Sequence, residues 1–311
     1  MKRQELLDYF TRNLEKGPFE GEQIRIGAEV ETHFVDGNRR PISIATSQGI
    51  FKILEQQGWR VAVMKGNLIT ELKKGEAKIL YELGRQNIEL ATQTEPPGWL
   101  WDETRALLQE LYAAAQQCNA YPFFAPIIEA DEDLLVVPDE RDASWLTLDG
   151  RDALSLLART ASVQFTIDTW GPHHAMEILR ALAQGRENIL KTNPYPQEEL
   201  WRKYIATSKA GYRADRYGVV MPDSIEQYVE LLANHDVVIN GKLVPFMEAH
   251  QSIDLFLRSV WWNFRLRRYN DRLCIEIRTL ARRTDDEGKR DLKAIKELIF
   301  PYYSAGYHWV V

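Results

Sequence analysis

Arg25-Ile26-Gly27-Ala28-Glu29-Val30-Glu31-Thr32-His33-Phe34 is the stretch on which the reading of the fold turns. Side chains on a strand point to opposite faces in turn. Ile24, Ile26, Ala28, Val30 and Phe34 therefore share one face, and Glu29, Glu31 and His33 share the other. Two carboxylates on one strand face sit roughly 7 Å apart, close enough to serve one metal cluster. A solvated strand face would ordinarily interleave the signs, as in Glu-x-Lys. Taken alone, the segment also fits a plain exposed acidic strand.

Other segments repeat the pattern. In 163–169, Val163, Phe165 and Ile167 oppose Gln164, Thr166 and Asp168. In 273–278, Leu273, Ile275 and Ile277 oppose Cys274, Glu276 and Arg278. Glu89 lies on the polar face of 87–92, and Glu82 stands at the mouth of that strand. Short β segments are also expected at 61–64, 68–72, 77–83 and 123–125.

Helical stripes separate these strands. Leu6, Leu7, Phe10 and Leu14 predict a first helix stopped by Gly17-Pro18. Ser47 reads as the cap of a second, and 101–118 and 174–190 as two longer ones. Ser224 and Gln227 form a capping box for another. Between the last two lies a basic, glycine-spaced loop, 208–218, with Lys209, Arg213 and Arg216. Loops on a rigid scaffold tend to carry binding groups. Arg258, Arg265, Arg267 and Arg268 fall at near-helical spacing, which predicts a solvated face, with a nucleotide-facing rim as the alternative. Strands and helices interleave in hairpin-like groups without internal repeats, so α+β fits better than a doubly wound sheet.

Composition bounds the function. The 311 residues are 45% hydrophobic and 27% charged, as in a soluble globular protein with a sizeable core. A net charge of −6 advertises neither nucleic acid nor an anionic membrane as partner. Cys118 and Cys274 make no disulfide framework and no metal spacing. With no apolar leader and no spanning segment, a cytoplasmic location is expected.

If the strands lie in one sheet with helices behind, the open face gathers Glu29, Glu31, Glu82, Glu89 and Glu276. Like charges about 4 Å apart cost on the order of 4 kcal/mol per pair at an effective dielectric near 20. Such a cluster needs a cation. Oxygen-only ligands select Mg²⁺ or Mn²⁺ over zinc, and Mg²⁺ held this way commonly works on nucleotide phosphates. Arg278, on the Glu276 face, can grip a phosphoryl oxygen with two prongs. His33 reads as a strand-end hydrogen-bond partner, His173-His174 as a helix start, and Trp261-Trp262 as packing, with stacking on adenine as the alternative.

These residues resemble the glutamate–cysteine ligase family, particularly its plant-type branch. Arg25 to Glu31 is similar to that family's opening Gly-x-Glu-x-Glu strand, and Tyr81-Glu82-Leu83 with Ile88-Glu89-Leu90 to its second acidic pair. Thr160 to Asp168 resembles its Ser-Val-Gln strand, Thr192 to Tyr195 its Asn-x-Pro turn, and Asp215 to Gly218 its Asp-Arg-x-Gly loop. Ser224 to Val229 resembles the helix that follows, and Ile275 to Arg278 the last Glu-x-Arg strand. The resemblance runs over roughly residues 20–285.

The resemblance implies one catalytic domain with a glutamine-synthetase-like fold: a largely antiparallel curved sheet with helices packed on its outer face. It implies that Glu29, Glu31, Glu82, Glu89, Gln164 and Glu276 bind about two or three Mg²⁺ ions. Arg278 becomes the γ-phosphate clamp, with Glu31 as the second catalytic group. Arg216, Arg213 and Lys209 become candidates for substrate or nucleotide. Asp168 is a candidate for taking the amine's proton, against a structural carboxylate. The implied reaction consumes ATP: the γ-carboxylate of glutamate is phosphorylated, then cysteine or a related amine attacks. Two features depart from the family. Arg85 stands where bacterial relatives often have proline, and only about thirty residues follow Arg278. The alternatives are a different amine acceptor, a non-catalytic relative, or a metal-dependent phosphodiesterase.

Overall fold

The computed structural model describes residues 1–14, 24–136 and 140–303. Its strands are β1 Ile26–Val35, β2 Arg60–Lys65, β3 Leu68–Lys74, β4 Ala77–Tyr81, β5 Asn87–Ala91, β6 Tyr121–Phe123 and β7 Ser162–Asp168. They continue with β8 Tyr217–Gly218, β9 Val237–Ile239, β10 Lys242–Val244, β11 Trp261–Trp262, β12 Phe264–Tyr269 and β13 Arg272–Ala281. Among the described residues, nine strands join one sheet in the order β12-β13-β7-β1-β5-β4-β3-β2, with β6 beside the C-terminal end of β1. Every pairing in that sheet is antiparallel. The α+β reading holds, and β1 lies near the middle.

Alternation decides what each strand buries. Ile26, Ala28, Val30 and Phe34 enter one apolar core with Ile88, Leu90, Phe165, Ile167, Ile275 and Ile277. Helices Pro97–Gln117, Pro172–Thr192 and Asp285–Tyr303 close that core from behind with Leu108, Leu111, Ile178, Leu182, Ile295 and Ile299. Each such side chain contributes roughly 1.5–3 kcal/mol when fully buried, so the apolar face cannot turn outward. A second cluster, with Trp145, Leu154, Leu157, Tyr204, Tyr212 and Trp261, draws on helices Glu140–Asp149, Arg151–Leu157 and Gln197–Thr207. It walls one end of the polar face.

Several expectations shift. The first helix, Arg3–Thr11, ends early, with Asn13 in the left-handed region at φ 52°. Gly17-Pro18 and the 304–311 tail lie outside the described residues. Ser43, not Ser47, caps Ile44–Gln56 by accepting from the Thr46 amide. Ser47 is buried inside that helix, its hydroxyl paired with that of Tyr81. Arg265 and Arg267 are not on a solvated helix: they lie on β12 and are buried. There Phe264 and Leu266 alternate with them, so period two overrides the apparent helical spacing. No helix among the described residues is long and apolar enough to cross a membrane.

Candidate active site

Since β1 is flanked by β5 and β7, strand parity fixes which polar side chains meet. Glu31 lies opposite Glu89, and Glu29 opposite Gln164. These four, with Glu82, Glu276 and Arg278, line one cleft of about 570 Å³. Glu31, Glu82 and Glu89 can each present an oxygen within 4.8 Å of the others. Glu31 accepts from the Ser162 amide (2.8 Å), the Ser162 hydroxyl (2.9 Å) and Gln164 Nε2 (3.0 Å). Those bonds fix its orientation and still leave lone pairs for a cation, since a carboxylate has about four acceptor sites.

Burial and mutual repulsion set the protonation of these carboxylates. Burial, then Glu82, push Glu31 up to about 8, against the hydrogen bonds from Ser162 and Gln164. Burial and Glu276 push Glu29 up to about 7, with Arg278 pulling the other way. Burial and the carboxylates of Glu29 and Glu82 hold Glu89 well above the usual range. Gln164 Oε1 is buried and has no hydrogen-bond partner. With its Nε2 committed to Glu31, that oxygen is an idle ligand atom beside a carboxylate trio. The donor set is oxygen only, so these residues fit a hard divalent cation.

Glu276 stands in different company. Its Oε2 accepts from Arg265 Nε at 2.8 Å, and Tyr269 donates to Oε1 at 2.7 Å. Arg278 and Arg267 approach to 3.6 and 3.8 Å. Burial raises its pKa, but Arg265, Arg278 and Arg267 outweigh that and hold it at about 2. Arg265 is pinned in turn by the carbonyls of Leu257 (2.7 Å) and Val260 (3.0 Å). Next to this group, the register of β13 against β7 slips between Ile277 and Leu280. Phe165 faces Ile277 and Val163 faces Leu280, so Arg278 and Thr279 together oppose Gln164. Such a bulge re-aims side chains, and it lets two consecutive residues, Arg278 and Thr279, both line the cleft.

The structure does not bring four of the expected residues to this cleft. Asp168, at the far end of β7, takes bonds from Arg272 (2.8 Å) and the Cys274 thiol (3.2 Å). Arg216 is buried, donating to the carbonyls of Ser259 (3.1 Å) and Asp236 (2.6 Å) over the Tyr212 ring. Arg213 is exposed and pairs with Asp215 at 2.6 Å. Lys209 is exposed near Gly150. Conversely, Arg265 and Arg267 reach the cleft, as the alternative of a rim facing the ligand had it, and Tyr269 joins them unannounced, although the alternation in 264–269 carried that signal. Nothing local pointed to Asn263 or Trp201. His33 is buried and bonded to Gln86, as expected, and His173-His174 open the helix Pro172–Thr192.

No family model matches the sequence, and no curated protein does. Solved structures do. The glutamate–cysteine ligase of Francisella tularensis, solved in complex with AMP, superposes with a TM-score of 0.52 at 10% identity, over 94% of this chain and 69% of that one. This chain shares that fold. A bifunctional glutathione synthetase from Pasteurella multocida gives 0.52 at 11% identity, over 89% of this chain. Plasmodium falciparum glutamine synthetase gives 0.43 at 9% identity, over 99% of this chain. The chain spans only 39% and 55% of the lengths of these last two. In this chain the carboxylate trio and the arginine group occupy the polar face of the antiparallel sheet.

Proposed function

We propose that the chain is an ATP- and Mg²⁺-dependent carboxylate–amine ligase, activating the γ-carboxylate of glutamate and joining it to cysteine or another amine. One observation carries this reading: a mutually repelling carboxylate trio and a group of three arginines share one cleft. Phosphoryl transfer asks a protein mainly for positioning and charge neutralisation. Glu31, Glu82, Glu89 and the Gln164 carbonyl would hold the cation, with Glu29 beside them. A divalent cation there supplies charge neutralisation and Lewis acidity toward phosphate oxygens. Ser162 keeps the Glu31 carboxylate turned into the site. Glu276 we assign to orienting Arg265, Arg267 and Arg278, and Arg278 to holding a phosphoryl oxygen. We place the reaction in the cytoplasm.

The test measures ADP release with Mg²⁺ and ATP, adding glutamate and candidate amines singly and together. ADP formation that depends on both partners is expected. Release that never depends on the pair would rule the reading out.

A second expectation concerns pH. Glu29 and Glu31 have folded-state pKa values above that of a free carboxylate, so the metal-free fold binds more protons than the unfolded chain. Their contribution is full below about pH 4.3 and fades as pH rises through about 7 to 8. A cation must displace those protons. The rise in Tm given by Mg²⁺ over EDTA should therefore be larger at pH 8.5 than at pH 6. Equal shifts at the two pH values would argue against a cation among these carboxylates.

A further inference from the structure

Asn263 is a buried amide that the ligase scheme leaves unused. It is 1% exposed and lines the cleft, and its Oδ1 has no hydrogen-bond partner. Its backbone is fully engaged: the amide donates to the Gly218 carbonyl at 2.8 Å, and the carbonyl accepts from the Arg278 amide at 2.9 Å. Leaving a buried polar group unpaired costs about 1–3 kcal/mol, and native structures keep few of them. The buried Tyr217 hydroxyl lies beside this amide, within reach of a bond from its Nδ2. Trp145, Trp201 and Trp261 also line the cleft, packed against one another and, through Trp201, against Tyr217. Trp201 stacks on Tyr217, centroids 5.7 Å apart and planes 9° apart, and meets Trp261 at 5.5 Å.

Resting on the ligase reading, we propose that Asn263 and Tyr217 seat the nucleophilic amine, and that the indole wall selects an amine with an aromatic body over the small amino acid cysteine. The position argues for the amine and against the nucleobase. Phe264 faces Ile277, and the next pair outward is Asn263 with Arg278. Residues paired across strands present their side chains to one face, which sets Asn263 beside Arg278. A nucleobase is separated from the transferring phosphorus by a ribose and two phosphates, so a group next to Arg278 meets the reacting partners. Oδ1 accepts one N–H of the neutral amine and turns its lone pair toward the acyl carbon. The C–N bond forms as the C–O bond to the phosphoryl group breaks. The departing phosphate takes that bonding pair and a proton from the amine nitrogen. Flat aromatic walls favour a flat aromatic partner by offset stacking.

The test compares tyramine, cysteine and hydroxylamine as acceptors, with glutamate, Mg²⁺ and ATP, in the wild type and in Asn263→Ala. The wild type is expected to prefer tyramine to cysteine by about tenfold or more in kcat/KM. Asn263→Ala should raise the tyramine KM by about tenfold or more, with the KM values for ATP and glutamate little changed. Hydroxylamine, small enough to need no seat, should still capture activated glutamate in the variant. Beyond its contact with Tyr217 the side chain bonds nothing in the fold, so the variant's Tm should stay close to that of the wild type. Tyr217→Phe keeps the stacked ring and should shift the tyramine KM in the same direction; it decides the matter if Asn263→Ala does not fold. Preference for cysteine, or a rise in the ATP or glutamate KM matching that for tyramine, overturns the proposal. A wild type giving no hydroxamate at any hydroxylamine concentration fails the ligase reading itself, and this inference with it.

Discussion

Glu31→Gln is expected to abolish measurable turnover while leaving the metal-free fold as stable as the wild type, or more so. Changing a group that merely orients a metal ligand costs about 10–100-fold in metal affinity or activity, so losing a charged ligand should cost at least ~10²-fold. The fold tolerates the change because the site is over-supplied with negative charge. Glu31 is pushed up by burial and by Glu82, and Glu89 is raised in part by Glu31 itself. Removing one charge relieves both. Glutamine keeps an oxygen for the Ser162 amide, which now bonds Glu31 at 2.8 Å, and Gln164 need only turn its amide to accept from the new Nε2. The measurements are steady-state ADP release with Mg²⁺ and Tm in EDTA. Normal turnover would remove Glu31 from the site. A large fall in Tm without metal would make its role structural.

Glu276→Ala should be the most destabilising single change in the cleft, by about 3–5 kcal/mol, the usual cost of leaving a buried charge unpaired. The Arg265 side chain is 4% exposed and that of Arg267 8%, and neither can swing to water without breaking its packing. Arg265 would keep its two carbonyl acceptors and lose the carboxylate it bonds. Urea denaturation gives the size of the effect; a loss under about 1 kcal/mol would mean that the arginines resolvate. The same carboxylate gives an acid signature. Its folded pKa, about 2, lies below the ordinary value near 4.5, so its contribution is present above that value and fades as pH falls toward 2. Glu276→Ala should therefore lose stability less steeply below pH 4 than the wild type does.

Much of the polar face could be read directly from the chain. Glu29, Glu31, Glu89, Gln164, Glu276 and Arg278 each sit in a run where apolar residues alternate with polar ones, and all six line the cleft. Arg265 and Arg267 were equally readable from Phe264 and Leu266, had period two been preferred to the coincidence of helical spacing. The loop 208–218 misled for the opposite reason. Glycine spacing and positive charge resemble a binding loop, but Asp215 neutralises Arg213, and two backbone carbonyls take Arg216.

The sequence by itself settled which side of each strand is polar, because alternation is a property of the extended backbone and needs no neighbour. It also pointed to an α+β sheet backed by helices, since the apolar faces must be covered; its antiparallel order was only what the family resemblance implied. Only the tertiary structure decided the company each charge keeps. Glu31 and Glu276 look alike in sequence, each on a polar strand face. One finds Glu82 and Glu89 across the gap, and the other finds three arginines. Strand order, the bulge opposite Gln164 and the aromatic wall against Tyr217 arise from packing between distant segments. Coulomb energy depends on those distances, which no local pattern of residues encodes.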